Sequence, residues 1–171
     1  MPQISEIRTK LLENLAQFIP ACIKIPGIMR ISLIGSLCTT KPDPKDIDVL
    51  IFIKDDADLT PLAALTRKLN GRVQSYNHNA DVFLADCQGQ YLGRVCLYKN
   101  CGPGFRCSCD ALHCGARKYL HDDLKTIILT RELVSSPPLE LWPTILARFS
   151  IPIDVDIIII RPLREIIRKP D

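Results

Sequence analysis

Two aspartates, Asp46 and Asp48, stand two residues apart at the head of DIDVLIFI, a run whose apolar, β-branched character marks a strand. Side chains alternate faces along a strand, so both carboxylates project to one side while Ile47 turns to the other. Paired carboxylates repel unless a cation joins them, and a hard ion such as Mg²⁺ takes carboxylate oxygens together with substrate phosphates. A third acid, Asp81 in NADVFLAD, shares a strand face with Phe83, where an ionised group is costly unless paired or metal-bound. Presented by an adjacent strand, it completes a two-metal arrangement, in which one ion activates an attacking hydroxyl and the other steadies a leaving pyrophosphate. The plainer reading of each acid is a turn former or a strand start, as Asp residues after Pro-Asp-Pro commonly are.

Gly35-Ser36 closes the preceding apolar run, IMRISLI, just where a turn must return the chain to the strand of Asp46 and Asp48. Gly permits close backbone approach, and a Ser hydroxyl with nearby amides can bind phosphate oxygens; the same dipeptide also serves as a helix cap. On position alone, Lys41, Lys45, Arg67, Lys68 and Arg72 are candidates to face phosphates.

A second constellation is rich in thiols. Five of the eight cysteines, Cys96, Cys101, Cys107, Cys109 and Cys114, fall within nineteen residues together with His113. Cys107, Cys109, His113 and Cys114, with Cys101 as a further donor, could supply a structural Zn²⁺ site, although no pair of Cys-x-x-Cys knuckles is present. Buried cytosolic thiols are the alternative, and Cys109 as a nucleophile lacks a base of known position. His121-Asp122-Asp123 reads as a polar element start, Asp154 and Asp156 as the exposed side of a strand or helix start, and Trp142 as a packing anchor.

The elements that must hold these residues alternate. Ile4, Ile7, Leu11, Leu15 and Phe18 line one face of an opening helix that Pro20 stops, and a second helix runs from a Thr60 cap to Asn70-Gly71. Further strands are expected near RVQSY, ADVFLAD and YLGRVCLY, and a short helix at TILARF. This pattern gives an α/β fold with a mixed sheet, some connections being too short for a helical crossover. A core over about residues 1–100 and an irregular Cys-rich extension over 101–171 form one domain, as 171 residues favour.

Composition narrows the functions. With 22 basic and 19 acidic residues, a net charge of +3 and 47% apolar residues, the composition argues against both intrinsic disorder and a strongly basic nucleic-acid coat. Only 6% aromatics argues against an extended single-stranded nucleic-acid track. No apolar span or export signal is visible, which points to a cytoplasmic protein without membrane contact and against a disulfide framework.

The ordered set GS-LCTTKPDPK-DID, with a nine-residue spacer and a later ADVFL, resembles the polymerase-β-like nucleotidyltransferase superfamily over roughly residues 28–86. The resemblance implies that Asp46 and Asp48 bind Mg²⁺, that Asp81 completes the site as base or metal ligand, and that Gly35 and Ser36 hold the triphosphate; Lys45 is added as a nucleotide-binding candidate from its position beside Asp46. It implies transfer of a nucleoside monophosphate from a nucleoside triphosphate, ATP first, to an acceptor hydroxyl. A small-molecule or protein acceptor is expected. Alternatives are an antitoxin-type enzyme that modifies a partner toxin, and a non-catalytic, zinc-stabilised interaction module on the same fold.

Overall fold

Helix α1 (Glu6–Ile23) begins where the Ser5 hydroxyl accepts the Arg8 N–H, a side-chain cap that satisfies one orphan donor of the first turn. In the computed structural model, which describes residues 5–101, 117–122 and 127–169, the chain then forms β1 (Ile28–Ile34), a 3₁₀ turn (Gly35–Cys38) and β2 (Asp46–Ile53). Helix α2 (Thr60–Gln74) crosses to β3 (Asn79–Ala85), which lies parallel to β2, while β1 pairs with β2 antiparallel. Strands β4 (Tyr91–Val95) and β5 (Leu120–His121) extend the sheet on one side. After α3 (Arg131–Ser135), β6 (Leu139–Trp142) and β7 (Leu146–Ala147) extend it on the other, beside β1. The strand order is β5-β4-β3-β2-β1-β6-β7. The C-terminal segment is α4 (Ile153–Val155), a π-helical turn (Asp156–Ile160) and α5 (Arg161–Arg168).

The protein is thus mixed α/β, with a seven-stranded mixed sheet and flanking helices. Strand β2 is covered on both faces, which explains its unbroken apolar run. Ile47, Val49, Ile51 and Ile53 join the main core with residues of α1, α2 and the C-terminal helices. Leu50 and Phe52 point the other way, into a smaller cluster with Ile34, Phe83, Ala85 and Val134. Fully burying each such Val, Leu, Ile or Phe side chain stabilises the fold by roughly 1.5–3 kcal/mol.

Several local expectations are corrected. Pro20 lies inside α1 rather than ending it, because Ile19 and Cys22 bury the last turn against the core and offset the lost hydrogen bond. Asn70-Gly71 does not stop α2: Asn70 is buried, its side-chain oxygen accepts the Ala80 N–H at 3.0 Å, and the helix runs on to Gln74. RVQSY is therefore the end of that helix and a turn, not a strand. Thr60 is the first helical residue, its N–H accepted by the Asp58 carboxylate, and does not act as the cap. TILARF contains β7 instead of a helix, since Leu146 and Ala147 pair with β6 and the Arg148 N–H reaches the Pro138 carbonyl. His121 ends strand β5 rather than opening a polar element. Trp142, half-buried in β6, packs against the main core. Among the described residues no helix is long and apolar enough to cross a membrane.

Candidate active site

The alternation of β2 sends Asp46 and Asp48 to the face of the smaller cluster, one row beyond the buried Leu50. Parallel pairing with β3 sets Asp48 directly opposite Asp81 and Asp46 opposite Asn79. On its other side Asp48 is opposite Ile34, the last residue of β1. The three acids therefore share one sheet face, at the point where β1 gives way to its turn.

Gly35 follows Ile34 with φ +74°, and a Cβ on it would overlap the Asp48 carboxylate and stand 3.1 Å from the Asp48 Cβ. Only glycine lets the turn close over this acid. Burial, and then repulsion from Asp81 and from Asp46, push the Asp48 carboxyl up to about 6. Asp46 Oδ1 accepts the Asn79 N–H at 3.1 Å. Asp81 Oδ1 accepts from Arg94 Nη1 at 3.0 Å, and Arg94 lies in register with Phe83 on one side and His121 on the other.

The turn is fixed from behind. The Ser36 carbonyl accepts both the Thr39 N–H and its hydroxyl, at 3.1 and 2.8 Å. Arg8 of α1, 3% exposed, donates to the carbonyls of Leu37 and Lys41, each at 3.0 Å, and to the carboxylate of Asp154. One buried guanidinium thus ties the first helix, the Gly35–Ser36 turn, the loop to Asp46 and the C-terminal segment together. Asp154, expected on an exposed side, is 4% exposed and forms this ion pair; Asp156 is half-buried and pairs with Arg161 at 2.9 Å. His78 meets the Lys45 carbonyl through Nδ1, pinning the loop beside Asp46. Arg8, Asn70 and Arg94 were not among the candidate residues read from the sequence.

The candidate cations separate cleanly. Lys41 and Lys45 are exposed on the loop that leads to Asp46. Arg67, Lys68 and Arg72 are not near the acids: α2 packs on the opposite face of the sheet, where Arg67 lies over the Tyr119 ring and Arg72 donates to Gln17. On the β6 side of Gly35 opens a cleft of about 220 Å³ lined by Cys38, Thr39, Pro138, Leu139, Phe149 and Ile151, with Phe149 73% exposed. Burial pushes the Cys38 thiol up to about 12, so it offers no thiolate there. Of the thiol cluster, Cys101 is buried and its sulfur accepts the Tyr119 N–H at 3.2 Å, and Cys96 is buried beside it in sequence; Cys107, Cys109, His113 and Cys114 lie outside the described residues, as do Ile4 and Asp123.

Asp46 and Asp48 are the residues that could hold a divalent cation of the Mg²⁺ type. Their shared face, the raised Asp48 carboxyl and the glycine cradle beneath it mark an accumulation of negative charge that a hard cation relieves. Among the described residues no group of three or more His, Cys, Asp and Glu side chains is gathered closely enough to hold an ion. Asp81, the third acid of the face, is engaged in its ion pair with Arg94.

A mixed sheet with acids clustered at the start of two parallel strands defines the class of site. The chain belongs to a family of unknown function (DUF6932), which it matches over residues 3–101. No curated protein matches it. No solved structure matches it either.

Proposed function

We propose that the chain is a Mg²⁺-dependent nucleotidyltransferase that moves a nucleoside monophosphate from a nucleoside triphosphate, ATP first, to a hydroxyl of a small-molecule or protein acceptor. The observation that supports this reading is the row formed by the Gly35 turn, Asp48 and Asp81, with Asp46 one strand step away on the same face. In the reaction the acceptor oxygen bonds to the α-phosphorus, the bond from that phosphorus to the bridging oxygen breaks, pyrophosphate leaves, and the hydroxyl proton passes to Asp81 or to water. Asp46 and Asp48 hold the cation, which when bound supplies positive charge against the phosphates. Gly35 and Ser36 offer backbone amides and a hydroxyl to the phosphate tail, Lys45 adds charge from the adjacent loop, and the cleft beside Gly35 leaves room for the rest of the nucleotide. A partner toxin as acceptor would use the same chemistry and change only what presents the hydroxyl.

The test is incubation of the protein with α-³²P-labelled triphosphates, Mg²⁺ and fractionated cell extract. Label should pass to an acceptor, and Asp48→Asn should remove at least the hundredfold that a lost charge-stabilising group typically costs, by about 10²–10³. Equal transfer by the two proteins would overturn the assignment.

A further inference from the structure

Among the described residues, Asp81 is the one member of the acidic row in an ion pair, with Arg94. Its carboxylate and the Arg94 guanidinium are 3.0 Å apart, with side chains 30% and 25% exposed, so the pair is partly withdrawn from water and only partly screened. The geometry is set by the sheet. Asp81 and Phe83 alternate onto one face of β3, Arg94 on β4 is in register with Phe83, and its long side chain reaches back diagonally along the ladder to Asp81. Asp46 and Asp48, by contrast, have no ion pair among the described residues: Asp46 accepts a backbone N–H, and Asp48 lies against Gly35.

We propose that Arg94 is a positioning residue that sets how many of the three carboxylates a divalent cation can engage. Held by Arg94, Asp81 stays outside the ligand set, the cation binds on Asp46 and Asp48, and Asp81 is left to orient the acceptor hydroxyl. The inference rests on the nucleotidyltransferase reading and decides between the two roles, base or ligand, that the third acid has within it. Removing Arg94 frees Asp81 to become a third ligand, so cation affinity rises through Asp81 and not only through the loss of one positive charge.

The test is calorimetric titration of the full chain with Mn²⁺ alone, for wild type, Arg94→Lys, Arg94→Gln, Asp81→Asn, the Arg94→Gln/Asp81→Asn double variant and Asp48→Asn, each first checked for a cooperative thermal transition. Loss of one positive charge strengthens cation binding in either background, which makes the comparison between backgrounds decisive. The gain from Arg94→Gln should be about tenfold larger with Asp81 present than in the Asp81→Asn background, a coupling of the size seen between directly interacting groups. Arg94→Lys, which keeps the charge, should bind as wild type does. Equal gains in the two backgrounds, no gain at all, or a Lys variant that behaves like the Gln variant would overturn the role of Arg94. In those cases Mn²⁺ binding by wild type that is lost in Asp48→Asn leaves the proposed function standing, whereas absence of Mn²⁺ binding in every protein overturns both.

Discussion

Asp48 carries the largest electrostatic cost of the site. Its ordinary carboxyl value of 3.8 is raised to about 6 by burial and by its two acidic neighbours. Because the folded value lies above the unfolded one, the protonated acid is the form the fold prefers. That preference is fully expressed below pH 4 and is lost as the pH rises through 6. Relative to Asp48→Asn, the wild type should therefore lose up to about 2 kcal/mol between pH 4 and pH 7.5, from a shift of about two pK units discounted for partial exposure. Urea unfolding of both proteins in EDTA at the two pH values measures this directly; a difference that does not change with pH would refute it. Added Mg²⁺ should recover stability in the wild type and not in the Asn variant. The acids were legible in the sequence, since a two-residue spacing in a strand fixes the face and an acid inside an apolar run stands out. Arg94 was not, because its relation to Asp81 depends on the register of β3 with β4. Asn70 was hidden by its neighbour, Asn-Gly being a helix-stop signal that the Ala80 hydrogen bond overrides.

At the scale of elements, the Arg8–Asp154 pair determines where the turn sits. Both side chains are nearly inaccessible, and Arg8 also carries two backbone carbonyls of the 35–41 segment. Removing one partner leaves a buried charge, so Asp154→Leu should cost about 3–5 kcal/mol. The double change Arg8→Met with Asp154→Leu should recover much of that stability while leaving the proposed nucleotidyl transfer low, because the two carbonyls lose their donor. Denaturant unfolding and the label-transfer assay together check this, and recovery of full activity in the double variant would count against a positioning role. Arg8 had a readable signal: the apolar stripe of Leu11, Leu12 and Leu15, continued one turn back, falls on it. Asp154 had none, since an acid before four isoleucines looks like any exposed helix start. The ends of α1 and α2 were also misplaced by sequence rules, as Pro20 and Gly71 are local breakers that buried side chains on their C-terminal side outweigh.

For the molecule as a whole, the sheet does not end where the family match does. Strand β6 supplies the far neighbour of β1, and Glu140 on it is held between Arg30 of β1 and Arg148, the latter at 2.9 Å. A chain ended at residue 101 would leave the β1 edge unpaired, the main core open and Arg8 without its carboxylate. Such a truncation should lack a cooperative thermal transition and exchange its β1 and β2 amides rapidly; a folded, monomeric fragment would show the remainder to be an appendage. The strands around the acids follow from apolar patterning, whereas the short β6 and β7 do not, because β6 is defined by β1, distant in sequence, and the two-residue β7 only by its pairing with β6. The contact between Arg8 and Asp154 spans 146 positions. A ribosome finishes the DID strand long before it makes the carboxylate that locks the loop in front of it. Residues 35–41 therefore take their final set only after residue 154 has left the exit tunnel, so the turn beside the acids is fixed well after the two strands that flank it have been made.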